Sequence, residues 1–395
     1  MRVKLGSPLG AAKGVGSADA GSNYARACEI SEGAGDSPER FMALWGDWLY
    51  KTGSGQLERA ASRADDLVAL SQRLGDADLV LQAHHSRWTT FQFLGRAAIA
   101  RADTQQGIRL YDRQRHHHHA HIYGGHDPGV CGRGTGAISA WLTGHPDEAG
   151  RLAEDAIALG RDLGHPFSQA VSMWWASYTF MYRGDAARCR TIADEALELS
   201  RRHAFKQVLA LASICSGWAR VDIGETGSGL KLLEQGLEDY RSLGQRGFLP
   251  HLLCVCADAC IRAGDHARAL ELLGEALEIS EQTKQGFFRP EMLRLQADVA
   301  LALGRTDAPA ARSQLEAAIE LAREQSALAL EWRATCSLAR LLEKHGELPK
   351  ARELLQARYG AFSEGHETRD LRAGRQLLEE LSREAGRPPS TPHGE

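Results

Sequence analysis

Gly144, Gly184, Gly224, Gly264 and Gly304 each stand 40 residues after the one before. The spacing continues less regularly to Gly346, and backwards to Gly95 and Gly53. The text at the rungs is similar: GHPDEA from Gly144, GDAARC from Gly184, GDHARA from Gly264 and GELPKA from Gly346. Self-similarity at a fixed period of about 20–50 residues marks a stacked repeat array, in which each unit buries its apolar face only against its neighbours.

Helical periodicity fills the intervals. ERFMALWGDWLYKTG places Phe41, Leu44, Trp45 and Trp48 at i, i+3, i+4 and i+7, an amphipathic helix behind Pro38. Leading helices (A) are predicted to begin near residues 38, 76, 129, 166, 205, 247, 288 and 326. Following helices (B) are predicted near 55, 97, 147, 186, 226, 266, 308 and 348. Each glycine rung then ends an A helix in the left-handed conformation that lets the chain turn. Asp147, Asp185 and Asp265 fall where a carboxylate caps helix B. Ala149, Ala269 and Ala351 supply small side chains for close helix approach.

The expected fold is all-α: a right-handed α-solenoid of about eight helix-turn-helix repeats. Its expected limits are a ragged glycine-rich segment at 1–22, the solenoid at 23–385 with a capping helix near 367–385, and a disordered tail at 386–395. One interval breaks the ruler. Gly95 to Gly144 is 49 residues, and the surplus is an expected extended His-rich loop at 113–128.

Net charge is −4 with both signs interspersed, so a nucleic-acid partner is not expected and a transcriptional regulator acting through DNA contact is disfavoured. Eight cysteines in 395 residues make no disulfide framework, and Cys254, Cys256 and Cys260 read as buried thiols. No signal peptide or membrane-length apolar run occurs, so a cytoplasmic protein with no membrane partner is expected. No phosphate loop, nucleophile elbow, zincin or dinucleotide fingerprint is present, so neither a catalytic residue nor a cofactor is expected.

Two features stand out as candidate sites. The tract His116–His119 with His121, followed by Tyr123, His126, Asp127 and Pro128, has a metal-binding composition and offers an alternative reading as a metal-dependent enzyme. A flexible run of histidines holds no rigid tetrahedral geometry, however, and Asp127-Pro128 fits a helix start, so no metal ligand is assigned. All eight tryptophans lie in predicted A helices, which line the concave face where such arrays bind peptides or ligands. The candidate interaction surface is Trp88, Tyr123, His126, Asp127, Trp141, Trp174, Trp175 and Trp218, with core filling as the plainer role for most of the rings.

The helix pair is similar to a tetratricopeptide-type repeat with lengthened helices. The strings RFMALWGDW, LGDADLVLQAHHSRW, YGGHDPGVC, LGHPFSQA, LARLLEKHGELPKARELL and YGAFSEGHETRDL occur here in that order. Together they resemble the carboxy-terminal region of large bacterial signalling proteins, over about residues 1–382. In those proteins a class III adenylate/guanylate cyclase domain precedes an AAA/STAND-type ATPase and then a helical array; similar arrays follow the ATPase of LuxR-type regulators. The resemblance implies a non-catalytic sensor or interaction array, a severed or truncated module whose cyclase and ATPase domains are encoded upstream. It implies a protein partner or small ligand on the concave A-helix face.

Overall fold

The computed structural model describes residues 15–385, within which there are nineteen α-helices and no strand. A leading helix, α1 (Ala18–Ser31), precedes eight helix pairs. The A and B members of the pairs are α2 (Pro38–Gly53) and α3 (Leu57–Leu74), α4 (Ala77–Phe93) and α5 (Ala97–Leu110), then, after the single turn α6 (Arg113–His116), α7 (Pro128–Leu142) and α8 (Pro146–Asp162). There follow α9 (Pro166–Tyr182) and α10 (Ala186–His203), α11 (Lys206–Asp222) and α12 (Thr226–Ser242), α13 (Leu249–Arg262) and α14 (His266–Thr283). The last pairs are α15 (Arg289–Ala302) with α16 (Ala308–Glu324) and α17 (Leu328–Lys344) with α18 (Leu348–Tyr359), closed by α19 (Arg369–Ala385).

Most local expectations hold, with four differences. The array begins at Ala18, where Ser17 caps α1, so residues 18–22 belong to it. The first left-handed rung is Gly55, at φ 80°, whereas Gly53 is the last helical residue of α2. Asp185 and Asp265 do cap their B helices, each accepting from the amide three residues on at 3.0 Å. Asp147 does not: it lies inside the first turn of α8, behind a His145 that makes no capping bond. The His-rich segment is not an extended loop, because α6 runs into a 3-10 turn at His117–His121. His116 and His119 turn inward there, His116 Nε2 meeting Asp78 at 3.0 Å and His119 Nδ1 accepting from Gln82 Nε2 at 2.9 Å. Residues 1–14 and the tail at 386–395 lie outside the described residues.

Six of the eight B helices end on a second left-handed ladder. Gly75, Gly164 and Gly244 occupy it, and Ala204, Lys284 and Ser326 take the same conformation at φ 56°, 58° and 54° without glycine's freedom.

Rotation from pair to pair brings the array round on itself after five pairs. The Gly53 carbonyl accepts from the amides of Arg246 and Gly247 at 2.9 and 3.2 Å. Phe93 O accepts from Phe287 N at 3.1 Å, and Gln325 O from Ala97 N at 3.2 Å. Leu328 packs on Gly144, and Arg369 on Gly184. The rungs of the first four pairs are therefore seated against the second turn. A β-carbon at Gly224, Gly264, Gly304 or Gly346 would meet nothing within 4 Å. The ladder thus has two jobs: every rung turns the chain, and the early rungs also seat the next coil.

Candidate ligand-binding chambers

Because the coil closes, its concave face becomes an interior, lined by A helices and divided in two by an aromatic wall. His251 stands at the centre of that wall, with ring centroids of Phe248 at 4.5 Å, Phe287 at 5.0 Å, Phe288 at 4.8 Å and Tyr178 at 5.1 Å. Tyr182 donates its hydroxyl to His251 Nε2 at 2.6 Å. Burial pushes the His251 imidazole down to about 3, so it stays neutral and accepts that bond. Phe288 holds φ at 61°, an outlying conformation for a bulky residue, at the start of α15.

On the amino-terminal side lies an apolar chamber of about 140 Å³. Trp45, Trp48, Trp174, Trp175 and Phe248 form much of its lining, together with His85, His126 and Cys131. Trp174 and Trp175, neighbours on α9, stack their rings at 4.1 Å, with Trp174 half-buried and Trp175 buried. Both His85 and His126 are neutral, burial holding His126 at about 4 and His85 well below its ordinary value.

On the carboxy-terminal side the chamber is larger, about 380 Å³, and charged. Arg262, Arg294, Arg333, Arg340 and Arg369 line it with Asp258, Glu291 and Asp370. Four of the arginines are tied. Arg294 grips Glu291 through two bonds of 2.8 Å and reaches Asp298 at 3.0 Å. Arg333 bonds Asp370 at 2.7 Å and Glu291 at 3.1 Å, and lies over the Trp141 ring at 4.9 Å. Arg369 makes a forked pair with Asp222 at 2.6 Å on each arm, and Arg262 bonds Asp222 and Asp258 at 2.8 Å. Burial alone would raise the Glu291 carboxyl, but Arg294 and Arg333 override it and hold it down at about 2. Arg340 is exposed and has no carboxylate partner among the described residues. The chamber therefore presents an ordered ionic floor and one uncommitted guanidinium, with Trp218 and Trp332 as flanking rings.

The predicted interaction residues distribute unevenly over these surfaces. Trp174, Trp175 and His126 line the apolar chamber, and Trp218 lines the charged one, donating Nε1 to Asp258 at 2.7 Å. Trp88, Tyr123 and Trp141 are buried, at 0, 5 and 3 % exposure. Trp88 stacks on His85 at 4.9 Å, Tyr123 packs on Trp45, and Trp141 stacks on Tyr182. Asp127 is fully buried as the cap of α7, accepting from the Gly129 and Val130 amides at 2.8 and 3.1 Å and from the Tyr111 hydroxyl at 3.0 Å. Sequence reasoning missed the arginine set. The available signal was Arg294 and Arg333 inside A helices that are packed on both flanks, where a charge has only the concave side to face.

No family model matches the chain. It is 30% identical to an uncharacterized protein of Rhizobium meliloti (strain 1021) over 341 residues, 85% of this chain and 33% of that protein, so it spans about a third of that relative's length. Among solved structures it is similar to a Rap protein complexed with competence and sporulation factor (TM-score 0.55, 12% identity, 88% of this chain and 98% of that one). It is likewise similar to Cut9 of the Cut9–Hcn1 hetero-tetramer of the APC/C (0.55, 11%, 91% and 58%) and to NprR with its cognate peptide NprX (0.50, 13%, 74% and 83%). The chain has a tetratricopeptide-like solenoid fold, and no helix of the described residues is long and apolar enough to cross a membrane.

Proposed function

We propose that this chain is a non-catalytic sensor array that takes an anionic ligand, a small molecule or a peptide carboxylate, into the charged chamber of its closed coil. The observation that carries the reading is Arg340, unpaired in a chamber of about 380 Å³ whose other arginines are held in fixed ion pairs. That volume suits a small ligand, and a guanidinium on a preordered floor offers forked hydrogen bonds to a carboxylate or phosphate. Support also comes from two proteins of the same fold, Rap and NprR, whose solved structures hold a sporulation factor and a cognate peptide. In the longer architecture that the sequence resembles, ligand occupancy of the array governs an ATPase-linked cyclase.

The test is calorimetry with short peptides carrying a free carboxylate, their amidated counterparts and inorganic phosphate, on wild type and Arg340→Ala. Binding of the free-carboxylate or phosphate probe that weakens about tenfold or more in Arg340→Ala is expected. Binding insensitive to both amidation and the substitution would overturn the reading. Incubation with ATP and Mg²⁺ or Mn²⁺ should give neither cyclic nucleotide nor free phosphate; robust turnover would end the non-catalytic reading.

A further inference from the structure

His85, His126 and Cys131 converge at the wall of the apolar chamber. One ring nitrogen from each histidine and Cys131 Sγ lie within 4.8 Å of one another. None of the three is used by the charged chamber, and none belongs to the tract of consecutive histidines.

The hydrogen bonding settles which nitrogens are available. His126 Nδ1 lies 3.3 Å from the Gly124 carbonyl, which can only accept, so Nδ1 carries the proton. Its Nε2 is then a bare lone pair, buried and without a hydrogen-bond partner. His85 Nδ1 lies 3.2 Å from Gln82 Oε1, and Gln82 is itself oriented by donating Nε2 to His119. This leaves His85 Nε2 as its free donor atom. Such outer hydrogen bonds, one to a backbone carbonyl and one to a side-chain oxygen, are how proteins fix the tautomer and aim of a metal-binding imidazole. An orphaned buried lone pair is costly, and a bound cation relieves it.

We propose that His85, His126 and Cys131 form a buried His2Cys site for a late first-row divalent cation, Zn²⁺ foremost, with a fourth position facing the apolar chamber. Two imidazoles and a thiolate are a borderline-soft donor set that suits zinc. Tetrahedral bonds of about 2.0–2.3 Å require donor atoms about 3.5 Å apart, a small contraction from the present spacing. His85 comes from α4, His126 precedes α7 and Cys131 lies within its first turn, so the ion would pin two successive A helices. The Cys131 thiol binds as the thiolate, releasing its proton to solvent, and affinity rises with pH accordingly.

The experiment is Co²⁺ titration of the full chain, followed by Zn²⁺ displacement. Wild type should bind a single tight equivalent, with a thiolate-to-cobalt charge-transfer band and the visible bands of a tetrahedral ion. Cys131→Ala should lose the charge-transfer band, and His126→Gln should weaken binding about tenfold or more while keeping the band at high cobalt. The combined His117→Gln, His118→Gln and His121→Gln variant, which empties the exposed part of the tract, should keep both the band and the affinity. Absence of the band in wild type, or its persistence in Cys131→Ala, overturns the proposal. If Cys131→Ala fails to fold by circular dichroism, His126→Gln decides: undiminished affinity overturns the site.

Discussion

Asp147 and Gly365 stand 218 residues apart in the chain, and the carboxylate of the first accepts a hydrogen bond from the amide of the second at 2.9 Å. The exchange is reciprocal, since Glu364 Oε1 accepts from the amides of Asp147 and Glu148 at 3.0 and 2.9 Å. Helix α8, which His145 leaves uncapped, therefore receives its N-terminal carboxylate from the far end of the chain. Glu364→Ala is expected to cost about 1–2 kcal/mol, as loss of a good cap does. It should also loosen the last turn, seen as faster amide exchange at residues 365–370. Asp265→Ala should cost a similar amount while leaving exchange at 365–370 unchanged.

At Gly247 and Gly286 the contact between coils is made by backbone, which leaves no room for a side chain. A β-carbon on Gly286 would stand 2.3 Å from Leu94 O, and one on Gly247 would stand 2.1 Å from Thr52 O. Alanine at either position should push the coils apart and increase the radius of gyration in X-ray scattering. Gly264→Ala should cost only the left-handed strain, about 1–2 kcal/mol, with the scattering profile unchanged.

Where the left-handed residue is not glycine, the same physics runs in reverse. Ala204 is exposed at φ 56° with no packing to lose. Ala204→Gly should raise stability by about 0.5–1 kcal/mol, the relieved strain exceeding the entropy that glycine adds to the unfolded chain. A chemical denaturation midpoint at or below that of wild type would contradict this.

The ionic floor should fail by losing one partner rather than by being diluted. Glu291→Gln leaves the partly buried Arg294 and Arg333 with one carboxylate fewer, and is expected to destabilise by about 3 kcal/mol, the low end for a broken buried pair because Asp298 and Asp370 still face them. Substitution of Glu29, whose pair with Arg26 is exposed, should change the midpoint by less than about 1 kcal/mol.

Acid should weaken the fold in two stages. His251 titrates near 3 in the folded protein, against 6.5 for a free imidazole, so below pH 6.5 the unfolded chain holds the extra proton. Its contribution is complete above pH 6.5 and falls by about 1.4 kcal/mol per pH unit as pH drops towards 3. Glu291, held at about 2, contributes above pH 4.5 and is lost as pH falls from there towards 2. Denaturation of His251→Asn across pH 7 to 4 should show a slope shallower than wild type by about one proton; equal slopes would refute the assignment.

Much of the local fold was legible, because helix ends are written in short signals. Pro38 behind Ser37, Asp127 before Pro128, and Asp185 and Asp265 after their rungs all do in the structure what their positions predict. The closure was not legible. It depends on a small rotation summed over five pairs, and the residues that meet, such as Gly53 and Arg246, carry no complementary pattern. The histidine tract misled for a related reason: His116 and His119 are placed by Asp78 and Gln82 on another helix, which turns a flexible-looking run into packed structure. The donor cluster was hidden by its scatter over two strings. His85 lies in LGDADLVLQAHHSRW, while His126 and Cys131 lie in YGGHDPGVC. Only the packing of α4 beside α7 brings them together.

Ordinary solenoids lengthen or shorten by whole units, because each repeat answers only to its neighbours. Here the seats of Gly95 on Gly286, Gly144 on Leu328 and Gly184 on Arg369 count five pairs from one coil to the next. One repeat inserted or deleted between them would bring every later seat opposite the wrong rung, so the number of repeats from seat to seat is fixed as firmly as the teeth of two meshed gears.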